Sequence, residues 1–191
     1  MIFLSASVPD PKRHKIYYDT ADVIAIRDAV RALATIVIPK SKLVWGGHPA
    51  ITPLIRYVML TMDIDLQKHI TLYQTEFFRD IYPPANSYFE NVVYTSTKND
   101  RDKSLYEMRL KMFKSHDFDA GIFIGGMDGV EAEFEMFRNI HPNAAVFPVA
   151  STGAAAKIIY DKMDTKPDTR LVDDFAYMAL FRSLFEKIIN I

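Results

Sequence analysis

Short apolar runs alternate with amphipathic, helix-like patterns along most of the chain. The apolar runs predict six strands, at residues 2–4, 42–45, 70–73, 92–94, 120–124 and 145–149. Between these runs, apolar residues recur every three or four positions, which is the spacing of one helix face. Strands that alternate with helices indicate an α/β fold: a Rossmann-like parallel sheet flanked by helices on both faces, in a three-layer sandwich.

Two of the predicted helices carry specific expectations. We expect Thr20 to cap a helix over residues 21–35. The core face of that helix is expected to comprise Val23, Ile26, Val30 and Leu33. The last helix, over residues 172–190, has a wide apolar face, which predicts core packing or an interface with another subunit. Its members are Phe175, Met178, Phe181, Leu184, Phe185 and Ile188.

Two connecting segments are long enough to shape a site. Residues 8–19 form a polar loop with two prolines, which can act as a lid or a wall. Residues 76–91 form an aromatic segment broken by prolines. Such a segment can stack a nucleobase, although packing or a dimer contact is the simpler interpretation.

The stretch at residues 120–137, AGIFIGGMDGVEAEFEMF, predicts a buried strand, a glycine-rich turn and the start of a helix. Glycines lack a Cβ atom, so the turn can bring backbone N–H groups close to a ligand. The positive end of the helix points at the same place, which suits a phosphate. The predicted phosphate- or nucleotide-binding residues of this turn are Gly125, Gly126, Met127, Asp128, Gly129 and Val130.

Glu133 is the candidate catalytic acid. It falls at the edge of the apolar stripe formed by Val130, Phe134 and Phe137. A carboxylate beside an apolar face at a glycine-rich turn is a candidate site residue. A glutamate in the first turns of a helix also interacts favourably with the helix dipole, so a purely structural role stays open.

Other small or glycine-rich turns also follow predicted strands. Ser5 and Ser7 follow the first strand, and Gly46, Gly47 and His48 follow the second. Ser151 and Thr152 follow the last strand. The carboxyl ends of parallel strands meet at one edge of the sheet, where ligands bind in such folds. We therefore expect all these residues to contribute to one nucleotide site, although His48 can equally be an ordinary loop residue.

Composition limits the classes of protein. The 191 residues are 49% hydrophobic, enough for a single domain over residues 1–191. The formal net charge is −1, with no block of Lys and Arg, so a nucleic-acid partner is not expected. No cysteine is present, which excludes disulfides and thiolate chemistry. The histidines lack metal-ligand spacing, so we predict neither a metal nor a cofactor. No apolar run has the length of a membrane span or a signal peptide, and we expect a cytoplasmic protein.

Three motifs resemble the SLOG superfamily, which includes the lysine-decarboxylase-like, cytokinin-activating phosphoribohydrolases. DFDAGIFIGGMDGVEAE is similar to the phosphate-binding signature of the family, with Val130 where the family has threonine and Ile124 where it has proline. YEMRLKM resembles the family's Met-x-x-Arg helix, and the family's arginine corresponds to Arg109. Without this resemblance, Arg109 is interpreted as a residue at the rim of its helix. LVWGGHP resembles the earlier glycine turn.

The resemblance implies cleavage or transfer at an N-glycosidic bond of a nucleotide, such as a nucleoside monophosphate or NAD. Glu133 would act on the sugar, and Arg109 would neutralise phosphate or orient Glu133. The resemblance also implies a homodimer. Two alternatives stay open: a non-catalytic sensor of a nucleotide signal in a bacterial signalling or antiphage system, and an enzyme similar to nucleoside deoxyribosyltransferases or TIR domains.

Overall fold

A parallel six-stranded sheet in the order β4-β3-β2-β1-β5-β6 forms the centre of the protein. The structure, a computed structural model, describes residues 1–62 and 65–189. The strands are β1 (Ile2–Ser7), β2 (Leu43–Trp45), β3 (Ile70–Thr75), β4 (Val92–Thr95), β5 (Ala120–Gly125) and β6 (Ala145–Val149). All the predicted strands are present, and the sheet confirms the predicted α/β class.

Seven α-helices connect or flank these strands in the described part of the chain. They are α1 (Lys15–Tyr18), α2 (Val23–Val37), α3 (Thr52–Leu60), α4 (Arg101–Lys114), α5 (Asp128–Ile140), α6 (Ala154–Lys162) and α7 (Tyr177–Ile189). The aromatic segment folds into two short 3-10 helices, Glu76–Ile81 and Pro84–Tyr88. Among residues 1–62 and 65–189, no helix has the length and apolar character needed to cross a membrane.

Alternating side chains of the central strands are buried in two separate cores, one on each face of the sheet. Ile2 and Leu4 of β1 pack on one face of the sheet, with residues of α2, α3 and α7. Phe3 packs on the other face, with residues of α4, α5 and α6. Successive side chains of a strand point to opposite faces of the sheet, so one strand contributes residues to both cores. The result is the predicted three-layer sandwich.

The start of α2 differs from the sequence prediction. The Asp22 side chain accepts a hydrogen bond from the amide of Ala25 at 2.8 Å, so Asp22 caps the helix instead of Thr20. The Thr20 hydroxyl donates to the carbonyl of Ile16. Val23 is 48% exposed, because it lies in the first turn and points to solvent, whereas the other predicted core residues of this helix are buried.

The last helix is shorter than predicted. It begins at Tyr177, and residues 172–176 form a turn after a 3-10 helix. The side chains of Asp168 and Asp174 accept hydrogen bonds from the backbone amides of Arg170 and Ala176, respectively. Such local bonds favour turns over a continuous helix. Phe175 is therefore 58% exposed, while Phe181 and Phe185 are fully buried. Residue 190 of the predicted helix lies outside the described residues.

Candidate functional site

The carboxyl ends of β1, β2, β3 and β5 open into a cleft of about 340 Å³. This volume falls within the range of small-molecule binding sites. Three of the four predicted turns reach the cleft, together with two residues from α4 and α5. The predicted site residues that line it are Ser7, Gly46, Gly47, His48, Arg109, Met127, Asp128, Gly129, Val130 and Glu133.

Glu133 is held in the cleft by two partners. The Nε of Arg109 donates to its Oε1 at 3.0 Å, and the hydroxyl of Ser5 donates to its Oε2 at 2.5 Å. The side chains of Glu133 and Arg109 are each 13% exposed. Both bonds are charge-assisted and fix the carboxylate in one orientation. Ser5 itself is buried and does not line the cleft, so its predicted role at the site is limited to holding Glu133.

The guanidinium of Arg109 also links α4 to the start of α5. Its Nη2 donates to the carbonyl of Gly129 at 3.3 Å. A Cβ atom at Gly129 would lie 3.1 Å from the same nitrogen, so the helix approaches the arginine closely because this position has no side chain. Arg109 therefore positions both the acid and the turn that precedes it.

The first turn of α5 faces the cleft without a capping side chain. Among the described residues, the amides of Met127, Asp128 and Gly129 have no hydrogen-bond acceptor. Free amides at a helix N-terminus, together with the helix dipole, attract an anion. This end of the cleft therefore suits a phosphate group.

The backbone amides of Gly125 and Gly126, which precede this helix, donate hydrogen bonds to other residues of the protein. Gly125 donates to the hydroxyl of Thr152 at 2.8 Å, and Gly126 donates to the carbonyl of Ser7 at 2.8 Å. Both glycines have positive φ angles, of 56° and 86°, which only glycine adopts readily. They shape the turn, and their amides do not point into the cleft as the sequence predicted.

Ser151 and Thr152 lie outside the cleft, contrary to the expectation that all the turns meet there. The Ser151 hydroxyl contacts the hydroxyl of Tyr177 at 3.0 Å. The Thr152 hydroxyl donates to the carbonyl of Val149 at 2.6 Å and accepts from Gly125. Both are buried because the 3-10 helix after β6 turns them toward the core. Thr152 thus supports the glycine turn from behind.

His48 follows β2 and lines the cleft. Its Nδ1 accepts a hydrogen bond from the amide of Ala50 at 3.2 Å, which requires that nitrogen to be unprotonated. Burial, and to a lesser extent the nearby charge of Arg13, lower the pKa of His48 to about 4. The imidazole is therefore neutral at pH 7 and presents itself as a neutral group to a ligand.

Sequence reasoning missed the polar side chains of Gln74, Arg13 and Arg101, which line the cleft, and left several interpretations open for one of its walls. Gln74, the last but one residue of β3, lines the cleft beside Gly47. Phe78, Ile81 and Tyr82 of the aromatic segment form the adjoining wall. The hydroxyl of Tyr82 donates to the carbonyl of Thr75 at 2.8 Å, which fixes its ring against the end of β3.

The polar loop over residues 8–19 contacts the mouth of the cleft. The Nη2 of Arg13 lies 3.2 Å from Oδ1 of Asp128, and both side chains are exposed. Farther along, the hydroxyl of Tyr17 donates to Glu131 at 2.5 Å, and Lys162 binds the other oxygen of Glu131 at 3.1 Å. Glu131 therefore anchors the loop outside the cleft, which leaves Glu133 as the acid that faces it.

Within the described part of the chain, no three side chains of His, Cys, Asp or Glu group closely enough to hold a metal ion. A larger depression, of about 470 Å³, lies between α2 and α7. It contains Lys40 and Arg182 but neither a strand end nor a glycine turn. The chemistry of the cleft therefore identifies it as the candidate site.

Comparisons with known proteins agree with this architecture. The X-ray structure of TM1055, a structural genomics target, is similar with a TM-score of 0.55 at 12% identity, over 90% of this chain and 87% of that chain. At this identity the likeness shows the fold alone. No curated protein matches the sequence. The family model of the SLOG cluster3 family matches residues 16–185 and confirms the resemblance seen in the glycine-turn motifs. The chain therefore belongs to the SLOG cluster3 family.

Proposed function

We propose that the protein is a nucleotide-binding enzyme that cleaves, or transfers at, an N-glycosidic bond, with Glu133 as the catalytic carboxylate. Membership of a SLOG family supports a nucleotide-type ligand. The observation that carries the proposal is the placement of Glu133. It is the oriented acid of a cleft whose neighbouring helix start has free amides.

The phosphate end of the ligand belongs at the start of α5. The amides of Met127, Asp128 and Gly129 supply donors there, and the helix dipole adds a favourable field. Glu133 lies one turn farther along the same helix. A phosphate at the helix start therefore places the attached sugar close to the carboxylate.

Glu133 would act on the sugar as the bond to the base breaks. From a nucleoside monophosphate the base leaves with the electron pair of the C1′–N bond and takes up the proton that the attacking water loses, while the sugar gains oxocarbenium character. A fixed carboxylate stabilises that positive charge, and water adds to C1′ to give the free sugar phosphate. A carboxylate oxygen has two lone pairs, so each oxygen of Glu133 keeps one free beside its protein partner.

One observation favours a second candidate, a non-catalytic nucleotide sensor. Both oxygens of Glu133 already have partners in the protein, and the amides of Gly125 and Gly126 are occupied. A sensor needs the cleft only to bind and does not need an acid that can accept a proton. The two candidates differ in a single measurable property, release of the base.

The test is to incubate the protein with nucleoside monophosphates and with NAD and to measure free base by chromatography. The enzyme proposal predicts base release by the wild-type protein. Binding of a nucleotide without any release contradicts the enzyme proposal and leaves the sensor. The single domain over residues 1–191, the homodimer and the cytoplasmic location stay predictions, and sedimentation analysis tests the homodimer.

A further inference from the structure

Gln74 is a buried polar residue at the wall of the cleft. It is 6% exposed, and its side-chain amide has no hydrogen bond to any of the described residues. The fully buried side-chain atoms without a partner in the described residues belong to Asn86 and Thr95 and not to Gln74, so the Gln74 amide is open to the cleft and its donor and acceptor are free to pair there. The amide borders the cleft, so a ligand there can supply the missing partners.

The turn after β2 is shaped to leave room for this amide. A Cβ atom at Gly47 would lie only 1.9 Å from Nε2 of Gln74, and the φ angle of Gly47 is +31°. Any side chain at position 47 would displace the amide. The glycine therefore permits Gln74 to keep its place at the cleft wall.

The position of β3 in the sheet places Gln74 far from the phosphate end. Strands β2 and β1 lie between β3 and β5, whose turn leads into α5. Three inter-strand spacings of about 4.8 Å separate the two ends of the site by about 14 Å. An extended nucleotide with its phosphate at α5 therefore brings its base to Gln74. Phe78 and Tyr82 stand beside it as surfaces on which a base can stack.

We propose that Gln74 recognises the base of the nucleotide and that its amide pairs with adenine. An amide offers one donor and one acceptor side by side. Adenine presents its 6-amino group next to a ring nitrogen acceptor on both its Watson–Crick and its Hoogsteen edge, so either edge can pair with Gln74. Guanine, cytosine and uracil each present a matched pair on one edge only, so adenine offers Gln74 the most ways to pair. The inference rests on the proposed function, since it assigns the base end of that site.

Calorimetric titration with two nucleotides tests the inference. AMP and purine riboside 5′-phosphate share the sugar and the phosphate, but the second lacks the 6-amino group. The wild-type protein should bind AMP at least about fivefold more tightly. In Gln74→Met, which has a similar shape but no amide, the two affinities should become equal. Equal affinities in the wild type, or an unchanged ratio in the variant, overturn the inference.

The same titrations separate this inference from the proposed function. If the wild-type protein binds neither nucleotide, the nucleotide site itself is contradicted. Gln67→Met is a matched control, because Gln67 bonds the backbone at Tyr88 and Glu90 and does not line the cleft. It should leave the affinity ratio unchanged. Gln74→Met removes no hydrogen bond to the described residues and should keep its melting temperature; if it does not fold, Gln74→Leu, which also lacks an acceptor for the 6-amino group, provides a second variant that should lose the preference for AMP.

Discussion

The Nε atom of Arg109 lies 3.0 Å from Oε1 of Glu133, although the two residues belong to different helices, α4 and α5. The same guanidinium reaches the carbonyl of Gly129 at the start of α5. One side chain therefore fixes both the acid and the turn that leads into its helix. The predictions below follow from this arrangement and from the groups that support it.

Replacing Glu133 with glutamine should reduce base release at least about 100-fold, because the neutral amide cannot stabilise a positively charged sugar. The side chain keeps its shape, so we expect the free energy of unfolding to fall by only about 1 kcal/mol. Turnover and thermal melting measure the two effects. Glu135→Gln is the matched control, since Glu135 is exposed on the same helix. Unchanged turnover in Glu133→Gln would remove Glu133 from the mechanism.

Replacing Arg109 with lysine should lower the free energy of unfolding by about 1–3 kcal/mol. The ammonium group of lysine lacks the planar fork that reaches Glu133 and the carbonyl of Gly129 together. Chemical denaturation measures the loss. A double variant with Glu133→Gln should lose less than the sum of the two single changes, because both remove the same interaction. Strict additivity would show that the two side chains do not interact in solution.

Replacing Thr152 with valine should destabilise the protein without acting on the ligand. The change leaves the amide of Gly125 and the carbonyl of Val149 without their buried partner, at a cost of about 1–3 kcal/mol. Thr152→Ser keeps the hydroxyl and should recover most of the loss. Denaturation and nucleotide titration together check this prediction. Weaker nucleotide binding at unchanged stability would instead place Thr152 in the binding site.

The stability of the protein should fall as the pH is lowered from about 6.5 to about 4. Burial lowers the pKa of His48 to about 4 in the folded protein, whereas the unfolded chain has the ordinary value of 6.5. The unfolded state therefore binds a proton first, and the stability present above pH 6.5 is lost progressively down to pH 4. The loss attributable to His48 is about 2–3 kcal/mol.

His48→Asn should remove this part of the pH dependence, which unfolding curves at several pH values measure. Nuclear magnetic resonance titration of the imidazole gives the pKa directly. Arg13→Gln should raise that pKa, because it removes a nearby positive charge. A wild-type pKa near 6.5 would contradict the burial of His48.

The sequence predicted the fold well because apolar runs mark the strands. β6 was predicted with its observed bounds and β5 to within one residue, since their buried residues are mostly apolar. β1 and β3 are longer than predicted. Their last residues, including Ser5, Gln74 and Thr75, are polar yet buried in the paired sheet. A polar residue at a strand end carries the same pattern as a loop residue.

The site was harder to predict because its geometry depends on contacts between distant segments. Glu133 and Arg109 were selected by helical spacing and family resemblance, and the structure brings them together in the cleft. Thr152 was expected in the site because its turn follows a strand, but its hydroxyl turns inward to Gly125. Gln74 was missed, since only the fold shows that it borders the cleft and that Gly47 lies beside its amide.

The cleft combines parts that are attached to different regions of the sheet. Glu133 and Ser5 depend on the inner strands β5 and β1, whereas Gln74 and the aromatic wall depend on β3, nearer the edge. Mutations near the edge can therefore reshape the rim without moving the carboxylate. Descendants of this protein can acquire new ligand preferences in that way while they inherit the same chemistry.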